Sequence, residues 1–331
     1  MSDVSMGTSQ MREGAPAPLA RLFGWGMLAF LASYLANNVL VVWFGFPGAL
    51  TGLTGGGTLA IIQVIIYVVF FALAAMKVFG RPNASLRAEA ERISAFNAWL
   101  IRSCFWAVLF VGIADVIIAF MRTENLLIYF MSEDAVLQFN LARYVGPVIH
   151  TPLIVLAFIV GLFTRTLGFT WLALMIVGAE LLIVISRFVF SYEQALMGDL
   201  VRYWYAALFL FASAYTLMDE GHVRVDVFYA GLDPRGKGRV NAFGSIFLGM
   251  TTCWVIISIG MAGKTAIINS PIVNFEVTQT GGTGMFVKYQ MAAFLAVFAV
   301  TMLIQFVSYL FEAVADMRGE PGKREVGSAA H

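Results

Sequence analysis

Long apolar stretches, separated by short polar segments, dominate this chain. A helix that crosses the hydrocarbon core of a bilayer needs roughly 20 mostly apolar residues. Stretches of about that length recur along the whole sequence, so the pattern predicts an all-α, polytopic integral membrane protein with about eight transmembrane helices. The predicted spans are residues 22–44, 58–79, 98–121, 146–164, 168–190, 199–218, 240–262 and 286–312.

The fourth predicted span is the weakest. It opens with Pro147 and Pro152, carries His150 between them, and is separated from the fifth span only by residues 165–167. A tight inner turn would be needed to separate the fourth span from the fifth. A chain of seven spans is therefore the alternative to eight.

Basic residues are distributed unevenly among the segments that join the spans. Short cytoplasmic loops of membrane proteins collect Lys and Arg. An eight-span topology with both termini in the cytoplasm fits this rule, because only a minority of the basic residues then lie on or near the outer side. These are Arg122, Arg143, Arg187, Arg202, Lys264 and Lys288. We therefore expect cytoplasmic tails at both ends, and a short amphipathic inner helix within residues 80–97 before the third span.

The composition favours lipid over water as the surroundings of the chain. Hydrophobic residues make up 60% and charged residues 12%, and the mean hydropathy is +0.82. An ordinary soluble domain is about half apolar and roughly a quarter charged. The net charge of +1 comes without a long basic run, so we expect the lipid bilayer as a partner and no nucleic acid.

Two acidic residues lie inside predicted spans: Glu180 near the middle of the fifth, and Asp115 in the outer half of the third. Each is followed seven residues later, on the same helical face, by an arginine (Arg187 and Arg122). A charge at the bilayer centre costs at least ~2.5–3.5 kcal/mol. Three interpretations stay open: an interhelical bond that fixes packing, contact with a partner subunit, and coupling to an ion or proton.

Neutral polar residues in spans more often join helices by hydrogen bonds than bind a substrate. The residues of this kind are Asn37, Asn38, Gln63 and Gln305. Prolines lie at span ends, in loops or in tails, and no span has a dense polar face. The chain by itself is therefore a poor candidate for a substrate pathway.

The residue types needed for metal or nucleophilic chemistry do not form a recognisable motif. Cys104 and Cys253 fall inside apolar runs and are expected to be small buried side chains. The histidines make no HExxH or HxxxH pair, and no GxSxG motif occurs. We expect no metal site, no cofactor and no enzymatic activity.

The inner loop 219–239 has an alternating pattern. In the run HVRVDVFY, the polar residues His222, Arg224 and Asp226 alternate with valines, as they do in an extended or interfacial segment. A group of basic residues then precedes the seventh span and serves as a cytoplasmic anchor.

This loop and the residues before it resemble the small permease subunit (DctQ type) of tripartite ATP-independent periplasmic (TRAP) transporters. Three motifs carry the resemblance, in order: Arg187-Phe188-Val189-Phe190, Asp199-Leu200, and Gly221-His222-Val223-Arg224-Val225-Asp226. The likeness covers about residues 165–315. Asp199 stands where the family more often has Glu, and four additional spans precede the matching half.

The resemblance implies a small membrane subunit that scaffolds a large permease subunit (DctM type) in the bacterial inner membrane. An organic acid delivered by a periplasmic solute-binding protein (DctP type) would be taken up, usually driven by Na⁺. The chain then divides into a cytoplasmic tail (1–21), an extension with about four spans (22–164), a DctQ-like four-helix domain (165–315) and a second tail (316–331).

The expected structural or partner-interface residues are Glu180, Arg187, Asp199, Gly221, His222, Arg224 and Asp226. Arg187 and Asp199 are expected to pair across the short outer turn 191–198. His222 and Asp226 are expected to fix the inner loop by hydrogen bonds. The alternative function is a self-sufficient secondary carrier or channel that uses Glu180 and Asp115.

Overall fold

Among the residues that the computed structural model describes, eight helices are long and apolar enough to cross a membrane. The structure describes residues 14–165, 169–218, 228–278 and 281–322, and these contain no strand. The helices are α1 (Pro18–Phe44), α2 (Gly57–Gly80), α3 (Leu86–Thr123), α4 (Ala142–Phe163), α5 (Phe169–Phe190), α6 (Ala195–Met218), α7 (Pro234–Gly260) and α8 (Lys288–Arg318). The predicted eight spans are confirmed, and the protein is a multi-pass helical membrane protein.

Large apolar side chains remain exposed along these helices. Val68 on α2 is 61% exposed, and Val177 and Leu182 on α5 are each 65% exposed. Helices satisfy their backbone hydrogen bonds internally, so such surfaces are stable against hydrocarbon. Short helical segments join the spans at Ala49–Leu53, Leu127–Tyr129, Glu133–Phe139, Asn269–Asn274 and Gly281–Thr283.

Helix α3 differs from the sequence prediction. A separate amphipathic helix was expected within residues 80–97, but one continuous helix of 38 residues runs from Leu86 to Thr123. The sequence from 86 to 111 holds no proline or glycine that would end a helix. The break falls earlier, at Pro82 and Asn83, where the chain forms a turn.

Helices α4 and α7 each contain a π-helical turn, at Gly146–His150 and Gly244–Met250. In α4 the backbone N–H and the hydroxyl of Thr151 both donate to the Gly146 carbonyl. Pro152 has no N–H to donate, and the π turn shifts the hydrogen-bond register just before it. This local adjustment keeps the fourth span helical.

The described residues fall into two compact units. One unit takes in described residues of 1–97, 216–259 and 299–331. An aromatic cluster lies in its core, where Phe30 packs on Trp254 with 4.6 Å between ring centroids and on Tyr67 with 5.7 Å. Gly24 of α1 lies against the Phe311 ring of α8, where a larger side chain would collide.

The other unit takes in described residues of 98–215 and 260–298. Phe211 of α6 packs edge-on against Phe105 of α3 and Phe294 of α8, with ring centroids 5.7 and 4.9 Å away. Cys104 is buried beside Phe105 in α3, and Cys253 is buried in the first unit. The predicted burial of both cysteines is confirmed.

Candidate functional site

A buried chain of hydrogen bonds joins four helices of the second unit. The Tyr203 hydroxyl donates to the Gln290 side-chain oxygen Oε1, and Gln290 Nε2 donates to the Tyr289 oxygen at 3.0 Å. Tyr289 Oη lies 2.8 Å from His150 Nδ1, and His150 Nε2 lies 3.2 Å from Asp115 Oδ1. A carboxylate only accepts, so the consistent assignment has Nε2–H donating to Asp115 and Tyr289 donating to Nδ1.

Asp115 also holds the segment that leads into α8. Its second oxygen, Oδ2, accepts from the Phe286 backbone N–H at 2.6 Å. The Asp115 and His150 side chains are both fully buried. Every polar atom of this chain of contacts is used in a hydrogen bond, which is the arrangement that a buried polar group needs to be stable. The network therefore serves to fix helix packing.

Asp199, near the start of α6, binds the neighbouring backbone N–H of the same segment. Its Oδ2 accepts from the Met285 N–H at 3.1 Å and from the Thr278 hydroxyl at 3.3 Å. The side chain is 2% exposed, while its neighbour Arg202, 3.6 Å away, is 74% exposed. The carboxylates of Asp115 and Asp199, on different helices, thus accept hydrogen bonds from two successive backbone N–H groups just before α8.

Arg122 also binds the segment before α8. Its guanidinium donates to the carbonyls of Gly282 and Gly284 and lies 3.8 Å from the centroid of the Phe286 ring. Asp115 and Arg122, two turns apart on α3, therefore bind the same loop instead of pairing only with each other. The sequence spacing indicated their common face but not this shared target.

Arg187 and Asp199 do not form the pair that was expected. Arg187 Nε lies 3.3 Å from Glu193 Oε2, and both side chains are more than half exposed. Asp199 is turned instead into the unit, toward the backbone of Met285. The expectation was wrong because the Asp199 carboxylate accepts from the Met285 N–H, in the segment before α8, and not from Arg187.

Glu180 lies at the middle of α5 and is exposed. Within the described part of the chain it takes part in no ion pair or hydrogen bond. Helix α5 is also the least covered of the eight spans, with 11% of its apolar window buried. The span with the smallest buried share therefore carries a charged residue at its middle.

The first unit contains a buried ion pair that sequence reasoning missed. Arg21 of α1 donates through two nitrogens to the two carboxylate oxygens of Glu89 of α3, each at 2.8 Å. Its remaining nitrogen donates to the carbonyls of Arg81 and Val78. The charge distribution along the chain predicts Arg21 only as a cytoplasmic charge, and the available signal for burial was its position next to the α1 apolar run.

A second ionic cluster ties the start of α3 to the end of α8. Arg87 donates to Glu312 at 2.6 Å and to Asp316 at 2.8 Å. The Glu320 carboxylate accepts from the Leu86 N–H at 3.2 Å, where the α3 N-terminus leaves unpaired donors. These contacts join residues of the N-terminal half to residues near the C-terminal end of the chain.

The neutral polar residues join helices as predicted. Asn37 of α1 donates to the Gln63 carbonyl of α2 at 3.3 Å, and the Gln63 side chain accepts from Gly48 N–H at 2.8 Å. Asn97 of α3 donates to Gln305 of α8 at 3.2 Å. The predicted linking role is confirmed for Asn37, Gln63 and Gln305.

The inner-loop residues Gly221, His222, Arg224 and Asp226 lie outside the described residues. Within the described ranges, no group of three or more His, Cys, Asp or Glu side chains could hold a metal ion. The candidate site therefore has two parts. One is the exposed Glu180 on α5, and the other is the set of side chains, Asp115, Asp199 and Arg122, that bind the segment before α8.

The fold and these contacts define a multi-pass membrane protein whose buried polar groups bind helices to one another. Residues 174–316 match the family described as tripartite ATP-independent periplasmic transporters, DctQ component. No curated protein and no solved structure matches the chain. The matched region spans most of α5 through α8, and α1–α4 precede it in the chain.

Proposed function

We propose that this chain is the small membrane subunit of a TRAP-type secondary active transporter in the bacterial inner membrane. It scaffolds a large permease subunit of the DctM type, which carries an organic acid delivered by a periplasmic binding protein of the DctP type. Ion-driven symport through the large subunit supplies the energy. The DctQ-component match over residues 174–316 supports this class of function.

The observation that carries the scaffold role is the position of Glu180. A carboxylate at the bilayer centre costs at least ~2.5–3.5 kcal/mol unless another group compensates it. Glu180 is exposed at mid-helix and has no compensating group among the described residues. We infer that α5 packs against a helix of the large subunit that presents a cation or a hydrogen-bond donor at this depth.

The buried contacts give the scaffold its rigidity. Asp115 and Asp199 fix successive amides before α8, and the Arg21–Glu89 pair fixes α1 to the start of α3. Residues of the extension take part in all of these contacts except that of Asp199. The extension is therefore proposed to be a packed part of the scaffold, and the chain is proposed to have no enzymatic activity.

The alternative, a self-sufficient carrier that uses Glu180 and Asp115, is not favoured. Asp115 is fully buried and already binds Phe286 N–H and His150. Glu180 is exposed. A coupling site would need both carboxylates to bind the same ion. Asp115 is buried and hydrogen-bonded, whereas Glu180 is exposed.

Replacement of Glu180 by Leu separates a partner contact from an internal one. We expect Glu180→Leu to keep or raise the thermal stability of the isolated subunit, since an exposed charge in lipid is removed. Recovery of the tagged large permease subunit in mild detergent should fall, and uptake by proteoliposomes that contain both subunits and the binding protein should fall with it. Glu133→Gln, an exposed carboxylate outside the spans, is the matched control.

Two results would contradict the proposal. Substrate uptake by this chain alone in proteoliposomes would make it a carrier. Unchanged recovery of the large subunit with Glu180→Leu would remove Glu180 from the interface.

A further inference from the structure

The C-terminal end of α2 carries two exposed cations that the rest of the protein does not compensate. Lys77 lies in the last turn of α2, and Arg81 directly follows the helix, one turn beyond Lys77. Both side chains are exposed. Within the described residues, neither side chain forms an ion pair or a hydrogen bond. Both charges are therefore available to a ligand from outside the chain.

The groups that would ordinarily bind a cation at this end of α2 are already bound to Arg21. Its Nη1 donates to the carbonyls of Val78 at 3.1 Å and Arg81 at 2.6 Å, which a helix C-terminus otherwise leaves unpaired. The Glu89 carboxylate is also used, because each of its oxygens lies 2.8 Å from an Arg21 nitrogen. The contacts of Arg21 therefore leave the positive charges of Lys77 and Arg81 in excess.

An aromatic ring fixes the position of the Lys77 charge. Lys77 Nζ lies 3.4 Å from the centroid of the Trp25 ring of α1. A cation over an indole face is held by the ring quadrupole, and the ammonium still has N–H donors that point away from the ring. The contact keeps the ammonium where α1 meets α2 and leaves one side of it open to an acceptor.

The surroundings of Lys77 indicate a lipid as the source of this acceptor. Leu73, Met76 and Phe79, all within one turn of Lys77 on α2, are 54%, 69% and 64% exposed. Tryptophan is enriched where a span meets the headgroups, and the distribution of basic residues predicts that this end of α2 faces the cytoplasm. Anionic headgroups attract basic residues at that surface. The phosphate of a headgroup is thus the anion that the membrane supplies at this depth.

We propose that Lys77, Arg81 and the Trp25 ring form a binding site for the phosphate of an anionic phospholipid, with its acyl chains along Leu73 and Met76. The site does not depend on the transport role, because none of these residues belongs to the contacts proposed for the large subunit. Occupancy compensates the two excess charges and fixes the α1–α2 hairpin to one leaflet.

Native mass spectrometry of the full chain in detergent tests this site. Phosphatidylglycerol is titrated against phosphatidylethanolamine, and inorganic phosphate is added in a separate arm. We expect preferential retention of phosphatidylglycerol, roughly fivefold weaker in Lys77→Gln and in Arg81→Gln, because each removes one cation from the headgroup. Arg81 is exposed and lies beyond the helix, so its replacement leaves the packed core untouched even if Lys77→Gln folds poorly.

Two further variants separate the geometry of the site from its charge. Trp25→Leu keeps the net charge but removes the ring that positions Lys77, and phosphatidylglycerol retention should fall in it. Arg239→Gln removes another exposed arginine, near the start of α7 and predicted to lie on the same side of the membrane, and should retain the lipid fully.

Four outcomes would overturn the proposal. Equal retention of both lipids by the unmodified chain would exclude a specific anionic site. Unchanged retention in both Lys77→Gln and Arg81→Gln would place the lipid elsewhere. An equal loss with Arg239→Gln would reduce the effect to overall charge. Displacement of the lipid by millimolar inorganic phosphate would assign the two cations to a soluble anion.

Discussion

Arg21 and Glu89 form a buried, bidentate ion pair. Two guanidinium nitrogens lie 2.8 Å from the two carboxylate oxygens, and the side chains are 1% and 4% exposed. Arg21 stands in the first turn of α1 and Glu89 in the first turn of α3. The pair therefore fixes how the first helix of the extension joins the start of the third.

Breaking this pair on one side should cost far more than removing it altogether. Arg21→Ala leaves the Glu89 carboxylate buried without its cation, and we expect a loss of ~3–5 kcal/mol in the free energy of unfolding. The double change Arg21→Met with Glu89→Leu should cost less than either single change. Thermal unfolding in detergent measures this, with the exposed Arg92→Ala as control. Equal effects of Arg21→Ala and Arg92→Ala would refute the importance of the pair.

Asp115 is expected to be necessary for order in the segment before α8. Asp115→Leu leaves the Phe286 N–H and the His150 Nε2–H without an acceptor inside the unit. Each such lost partner costs about 1–3 kcal/mol. Hydrogen–deuterium exchange at residues 284–287 should rise, and the unfolding temperature should fall. Asp134→Asn, at an exposed position, serves as control. Unchanged hydrogen–deuterium exchange in Asp115→Leu would contradict the proposed role of Asp115 in ordering this segment.

Arg187 and Asp199 should behave independently. The Arg187–Glu193 pair is exposed, so Arg187→Ala should change stability by no more than about 1 kcal/mol. Asp199→Ala removes a buried charged acceptor and should cost about 1.5–3 kcal/mol. Exchanging the two charges in one double variant should not restore the stability lost by Asp199→Arg alone. Recovery in that variant would mean that the two residues do pair.

Two helical glycines should respond in opposite directions to alanine. A Cβ at Gly112 of α3 would collide with the Trp204 indole of α6, which donates to the Val108 carbonyl at 3.3 Å. Gly112→Ala should therefore destabilise the protein by about 1–3 kcal/mol through overpacking. A Cβ at Gly178 of α5 meets nothing within 4 Å, and Gly178→Ala should stabilise the helix by roughly 0.5–1 kcal/mol. Unfolding temperatures of the two variants in one detergent decide this, and a shift in the same direction for both would contradict it.

Hydropathy predicted the helices because the preference for lipid is a local property. Each span needs only a long enough apolar run, and the eight predicted runs all became helices. The helix-joining role of Asn37, Gln63 and Gln305 was also predictable, since a neutral polar side chain inside a span gains by bonding to a neighbouring helix. The fourth span was doubtful because Pro147 and Pro152 interrupt it, and the π turn resolves that conflict.

Partners could not be predicted, because a side chain's partner depends on which helices meet and at what depth. Glu89 lies 68 residues from Arg21, and Phe286 lies 171 residues from Asp115. Arg187 and Asp199 are close in sequence, yet the backbone of Met285 takes the carboxylate.

The sequence by itself determined the membrane class, the positions of the apolar runs and the DctQ-like motifs of the C-terminal half, because these depend on residue types at fixed spacing. Only the tertiary structure decided which charges are compensated inside the protein. Asp115, Asp199 and Glu89 bind groups of the same chain, whereas Glu180 faces outward on α5. The physical reason is that burial and pairing arise from contacts between helices, which no single stretch of sequence contains.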